Sequence, residues 1–265
     1  MKLKPVSGKR SIALGDDDAH IHSALSEAEC ERESAKHSGR ISELQRVLYA
    51  DARYALLIIL QGRDASGKDG TIRRVFSDVN PQGCSVASFK APTEHEQAHD
   101  FLWRVHQRVP ERGMIGIFNR SHYEDILVPR VHATLPKKVW SARYAQINEF
   151  EAMLAANHVV ILKFFLHVSR AEQKRRLVER ITNADKNWKF RAGDLDDRAR
   201  WDDFTKAYHG ILAKTSTEAA PWYIVPADDK DIRNLLIART IADRLARLRL
   251  RYPKADPSIV GLDIE

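Results

Sequence analysis

An apolar run, Ala55-Leu56-Leu57-Ile58-Ile59-Leu60, leads into Gly62-Arg63-Asp64-Ala65-Ser66-Gly67-Lys68-Asp69-Gly70 and then into Thr71-Ile72-Arg73-Arg74-Val75-Phe76. No other stretch narrows the choice of fold as much. A strand, a glycine loop and a helix start make the setting of a phosphate-binding loop. Backbone N–H groups of the loop and of the helix N-terminus point at an anion, and Lys68 adds a positive charge. The match to a Walker A loop departs at two places. The Ser or Thr that follows Gly-Lys as a magnesium ligand is Asp69 here, and Asp64 puts a second carboxylate where phosphates approach. Two acids in a phosphate cradle require metal ions or many basic groups to offset them.

The chain has 265 residues, 43% of them hydrophobic, enough to bury a substantial core as one α/β domain with appendages. Its formal net charge is +7. That balance fits a polyanionic partner such as nucleic acid, anionic lipid or a phosphate polymer, or else a solvated surface that is merely basic. Cys30 and Cys84 lie far apart without metal-ligand spacing and suit a reducing compartment. No apolar run is long enough for a transmembrane span. Met1-Lys2-Leu3-Lys4-Pro5 is basic but is not followed by the apolar stretch of a signal peptide. The expected compartment is the cytoplasm.

Residues 1–37 are polar and irregular and read as a partly ordered arm. Leu44, Val47, Leu48 and Ala52 recur at helical spacing, so a helix is expected over 38–53, feeding the first strand. Further strands are expected at 85–89, 114–118, 159–165 and 222–225. Thr93 with Glu96 and Ser169 with Glu172 form capping-box patterns, opening helices to about Val109 and about Ile181. Long helices are expected over 137–156, 195–213 and 229–250, and a polar lid over about 182–198. Strands alternating with helices argue for a parallel sheet covered on both faces.

Three groups of residues carry the chemistry. The first is the loop itself, in which Gly62, Arg63, Ala65, Ser66, Gly67, Asp69 and Gly70 would cradle phosphate around Lys68. The second is Phe118-Asn119-Arg120-Ser121-His122-Tyr123-Glu124-Asp125, at the C-terminal end of an expected strand, where active groups of doubly wound sheets gather. Arg120 can clamp a phosphate bidentately, and Glu124 and Asp125 can orient metal or nucleotide; alternatively Arg120 and Glu124 simply pair with each other. The third is a basic helix and lid with Arg175, Arg176, Arg180, Lys186, Lys189 and Arg191. Cations that close over a transferring phosphoryl group stabilise its charge, and a lid excludes water. Phe101, Leu102 and Trp103 read as a buried helix face. His95 and His99 form the one helical histidine pair and lack a third ligand nearby.

These blocks, together with Asn80-Pro81-Gln82-Gly83, Phe89-Lys90-Ala91-Pro92, Lys186-Asn187-Trp188-Lys189-Phe190 and Ala220-Pro221-Trp222-Tyr223-Ile224-Val225-Pro226-Ala227-Asp228, resemble the family-2 polyphosphate kinases from about residue 38 to 253. Asn119 and Glu124 look most like class III members, which act on both AMP and ADP. The resemblance implies a thymidylate-kinase-like, three-layer αβα P-loop kinase fold with a parallel sheet and a helical lid. It also implies magnesium (manganese as the alternative), a basic channel for the polymer, and a homo-oligomer of two or four chains. Carried over by position, Asp64 matches the carboxylate that works through magnesium, while Lys68, Arg120 and Arg180 match catalytic cations. Arg73, Arg74, Arg176, Lys186 and Lys189 would hold polyphosphate; Asn119, Tyr123 and Glu124 would bind the nucleotide. Asn119 stands where other classes have Asp, so a metal site of two carboxylates is not implied.

The activity so implied is transfer of a terminal phosphoryl group from inorganic polyphosphate to AMP or ADP, reversibly, without nucleic-acid or membrane partners. Two other readings compete. An ATP-dependent nucleoside or nucleotide kinase would keep the fold, but Asp69 and Asn119 count against it. A non-catalytic polyanion-binding protein would not need Asp64, Lys68, Arg120 and Arg180 together. Residues 254–265 read as a tail.

Overall fold

The structure, a computed structural model, describes residues 1–7, 12–259 and 261. Five strands form one sheet: β1 (Ala55–Gly62), β2 (Cys84–Ser88), β3 (Ile115–Asn119), β4 (Val159–His167) and β5 (Trp222–Pro226). Their order is β2-β3-β1-β4-β5, and every neighbouring pair is parallel. The first helices are α1 (Glu27–Asp51), α2 (Lys68–Val75), α3 (Glu94–Gln97), α4 (Trp103–His106) and α5 (Glu124–His132). They are followed by α6 (Lys137–Ala156), α7 (Arg170–Thr182), α8 (Gly193–Ala199), α9 (Trp201–Thr215) and α10 (Lys230–Arg247).

The apolar run explains the layering. All eight residues of β1 are buried, because it lies between β3 and β4 with helices on both faces. Side chains alternate across a strand. Leu56, Ile58 and Leu60 therefore pack into one core with residues of α1, α2 and α10. Ala55, Leu57 and Ile59 pack into the other with residues of α5, α6 and α9. Each fully buried Leu or Ile contributes about 1.5–3 kcal/mol, so a one-residue slip of β1 would cost both cores at once. Three layers, αβα, follow.

Several boundaries differ from expectation. Helix α1 begins at Glu27, not 38, because Ser26 and Glu29 form a capping box. Its core face carries Cys30, Ser34, Ser38 and Gln45, which hide the apolar period. The helix expected after Thr93 breaks into the single-turn helices α3 and α4. Helix α5, with Pro129 inside it, has no clear sequence signal. The helix expected over 195–213 is divided at Arg200 into α8 and α9. At α7, Ser169 Oγ accepts from Glu172 N as expected, but the Glu172 carboxylate turns to Arg175 and Arg176 instead of closing the box.

Near the start of the chain, Val6 N donates to Trp222 O at 2.8 Å, and Pro5 bridges Tyr223 beside β5. The expected tail at 254–265 lies partly outside the described residues. Among the described residues no helix is long and apolar enough to cross a membrane.

Candidate active site

The loop between β1 and α2 takes a shape that its residue types permit. Gly67 has φ +103°, and an added Cβ would land on the guanidinium of Arg233. Ala65 also takes a left-handed φ of 61°. Gly67 is the N-cap of α2 and supplies no side-chain cap, so the first N–H groups of the helix are left for an anion. Lys68, 8% exposed, folds back on the loop, its Nζ donating to Gly62 O at 2.7 Å and Arg63 O at 3.1 Å. Burial, helped by the nearby Arg120 cation, pushes this lysine down to about 8, against the pull of Asp64, Glu124 and Asp69.

The end of β3 reaches the same loop. Arg120, at a left-handed φ of 62°, donates from Nη2 to Asp64 Oδ1 at 2.5 Å, and its Nη1 lies 3.5 Å from Glu124 Oε2. Glu124 first and Asp64 second hold the guanidinium above its ordinary value against the effect of burial. Gln61 Nε2 donates to Glu124 Oε1 at 3.2 Å. Asn119 Nδ2 donates to Asp69 Oδ1 at 2.6 Å, so the two departures from a Walker-type site are partners.

A cavity of about 1270 Å³ runs past these groups. Because β1 is central in the sheet, its loop separates two flanks. On the β2–β3 side the lining includes Phe89, Phe101, Val128 and Leu135 with Arg104, Asp125 and Arg143. Arg104 is buried and donates to Lys90 O at 2.8 Å and Asp125 Oδ2 at 3.2 Å, and Arg143 lies 4.6 Å over the Phe101 ring. Burial pushes the Asp125 carboxyl up, opposed by Arg104. On the β4 side the lining carries five cations, Arg180, Lys186, Lys189, Arg191 and Lys230, against two carboxylates, Asp194 and Glu179, the latter paired with Lys186, and Trp188 is 77% exposed. Arg180 Nη1 donates to Asp194 Oδ2 at 3.3 Å.

The structure thus brings Asp64, Lys68, Asp69, Asn119, Arg120, Glu124, Arg180, Lys186 and Lys189 to one cavity, with Ala65, Gly67 and Gly70 in its wall. Other expected residues are placed elsewhere. Arg63 turns away and stacks on Trp201, and Gly62 borders only a small pocket of about 40 Å³ beside it. Ser66 is fully buried, its Oγ without a partner. Arg73 and Arg74 sit about 8–9 Å along α2 from Lys68; neither lines the cavity, and Arg74 pairs with Glu31 of α1. Tyr123 is buried behind the site, its hydroxyl donating to Glu151 Oε1 at 2.8 Å. Arg176 touches the cavity but has all five N–H groups engaged. They bond Glu172 and the carbonyls of Ala65, Ser66, Ala227 and Asp228. It pins the loop and has no donor left for a polymer.

Sequence reasoning missed Arg104, Arg143, Asp194, Lys230 and the loop-bracing Arg233. Phe101, expected on a buried helix face, lines the cavity instead, while Trp103 stacks on His99 with ring centroids 4.0 Å apart. The Phe89-Lys90-Ala91-Pro92 block and Asp125 are the sequence signals that point toward that flank. Among the described residues no group of three His, Cys, Asp or Glu side chains could hold a metal alone.

With this geometry in view, the family model for polyphosphate kinase 2 matches residues 24–252. The AMP/ADP-polyphosphate phosphotransferase of Meiothermus ruber is 51% identical over 226 residues, 85% of each chain. The ADP-polyphosphate phosphotransferase of Rhodopseudomonas palustris is 48% identical over 83% of this chain and 80% of its own. The crystal structure of polyphosphate kinase 2 from Arthrobacter aurescens TC1 superposes with a TM-score of 0.91 at 38% identity, covering 98% of this chain and 92% of that one.

Proposed function

The chain belongs to the polyphosphate kinase 2 family, and we propose that it moves the terminal phosphoryl group of inorganic polyphosphate to both AMP and ADP. The observation that carries this reading is the single cavity. It joins a flank with apolar walls and paired Arg104–Asp125 to a cationic flank on the lid, and the two meet at Asp64, Lys68 and Arg120. A nucleotide suits the first flank, where Phe89, Phe101 and Leu135 offer apolar contact and Arg143 a cation. A polymer of repeated negative charge suits the second.

In this reading the N–H groups opening α2 hold the phosphate next to the transferring one. Lys68 exchanges the Gly62 and Arg63 carbonyls for phosphate oxygens. Arg120 and Arg180 neutralise charge as the phosphoryl group passes in line, and the lid excludes water. No general base is needed, because the acceptor oxygen of AMP or ADP is already anionic. The donor set also fits a divalent cation such as magnesium, which takes one or two carboxylates and completes its shell with phosphate oxygens and water. Asp64 is the carboxylate placed for it, and such an ion would supply further charge neutralisation between donor and acceptor.

The test supplies purified protein with magnesium, AMP or ADP, and either long-chain polyphosphate or ATP as donor. Product with polyphosphate for both acceptors is expected; product from AMP only with ATP would mark an ordinary nucleotide kinase. Asp64→Ala and Lys68→Ala should each lower turnover by roughly 10³-fold or more, with circular dichroism showing the fold retained. Near-wild-type turnover in either would sink the assignment.

A further inference from the structure

Arg63 occupies a phosphate-loop position, yet its guanidinium faces away from the cavity. It lies 3.8 Å over the Trp201 ring, and Nη2 donates to Trp201 O at 3.1 Å and Thr205 Oγ1 at 2.5 Å. Arg63 does not line the cavity of about 1270 Å³ that holds Lys68 and Arg120; it borders a smaller pocket beside Phe204 and Tyr208. Trp201 is the first residue of α9, separated only by Arg200 from the end of the lid helix α8 at Ala199. Arg63 therefore ties the loop to the joint on which the lid is mounted.

A second connection reaches the next residue. Gln173 of α7, buried, donates from Nε2 to Asp64 O at 3.2 Å. Its Oε1 accepts from Arg198 of α8 at 2.8 Å, and the Arg198 guanidinium also lies 5.9 Å from the Trp201 ring. Two independent side-chain routes thus run from the Arg63–Asp64 dipeptide to the same joint. Asp64 in turn pairs with Arg120.

We propose that Arg63 and Trp201, with Gln173 and Arg198, form a clamp through which the position of lid helix α8 sets the position of the Asp64 carboxylate. These are positioning residues: none touches substrate. The clamp acts on turnover once the lid has closed over the polymer, and has little effect on how tightly the polymer is held. This deepens the function proposed above and rests on it for the kinetic part of its test.

Steady-state kinetics with polyphosphate and AMP distinguish the roles. Arg63→Ala should lower kcat by roughly 30–100-fold, the size expected when a reacting group is misplaced by about 1 Å. KM for polyphosphate should change by less than about threefold, since no polymer contact is lost. Arg63→Lys, able to stack but not to reach both oxygens, should recover part of the loss. Arg198→Ala, at a half-exposed position, should lower kcat by about five- to tenfold and guards against the case in which Arg63→Ala fails to fold. In the double variant Arg63→Ala/Trp201→Ala the losses should not multiply, because Arg63→Ala already removes the ring contact that Trp201→Ala deletes.

Hydrogen exchange supplies a readout that needs no turnover. Loop amides 62–70 should exchange faster in Arg198→Ala than in the wild type, though Arg198 touches none of them. An inactive wild type with this exchange response would refute the proposed activity and keep the clamp. A polyphosphate KM raised more than about tenfold with kcat unchanged would make Arg63 a polymer ligand and overturn the clamp. So would multiplying losses, or unchanged kcat and loop exchange in Arg198→Ala.

Discussion

Lys68 shows how one residue's surroundings set its behaviour. In water a lysine titrates near 10.5, but burial brings this one down to about 8. An arriving phosphate favours the charged form, so above about pH 8 binding at the loop must take up a proton. KM for polyphosphate is therefore expected to rise with pH beyond that point, by up to about tenfold per unit. Lys68→Arg, charged throughout, should flatten that limb, and a parallel rise in both proteins would remove Lys68 as the cause. The stability effect has the opposite sense. Between about 8 and 10.5 the unfolded chain keeps a proton that the folded chain has released, so this residue makes stability rise with pH across that window.

Strand β4 and helix α6 meet at a buried pair that the mechanism does not use. Lys163 Nζ donates to Glu151 Oε2 at 2.5 Å, to Tyr123 OH at 2.8 Å and to Thr215 O at 2.6 Å. His122 Nε2 lies 3.2 Å from Glu151 Oε1. Burial would raise the Glu151 carboxyl, but Lys163 and His122 outweigh it and hold the group ionised. The network anchors His122 and Tyr123, which stand two and three residues after Arg120. Lys163→Met strands a buried carboxylate and should cost about 3–5 kcal/mol, lowering the thermal midpoint by roughly 10 °C. Adding Glu151→Leu should recover part of that loss, since an apolar pair of similar volume replaces an ion pair at little net cost. A double variant less stable than Lys163→Met would contradict this account.

Across the protein, a net charge of +7 is gathered in part on the lid flank, where Arg180, Lys186, Lys189, Arg191 and Lys230 line the cavity. Binding a polymer there releases condensed counterions, as it does for nucleic acids. Raising salt from about 50 to 200 mM should raise KM for long-chain polyphosphate at least tenfold or so. The acceptor site relies on fewer charges, and KM for AMP should move by less than about threefold over the same range. Equal salt dependence for the two substrates would place the polymer elsewhere.

What the amino-acid sequence determined by itself was local: the β1–loop–α2 junction, the capped helix starts, the alternation of strand and helix, and the family. Each of these signals acts over a few residues. A glycine tolerates a left-handed φ, a Ser accepts from an N–H three positions on, and an apolar period marks a buried face. Within the site, Asp64, Lys68, Asn119, Arg120 and Glu124 were legible for the same reason, since each lies in a short motif at a strand end. Tertiary structure alone decided which cations face the cavity. Arg63, Arg176 and Arg180 have the same guanidinium chemistry, but Arg63 finds Trp201, 138 positions away, Arg176 finds four loop carbonyls, and Arg180 keeps donors free. Arg104, Arg143 and Lys230 enter the site for the converse reason, because packing carries their elements to its wall. The phosphate loop can be read in one line of sequence; Gln173, Arg176, Trp201 and Arg233, which help hold it in place, lie more than a hundred residues further along the chain.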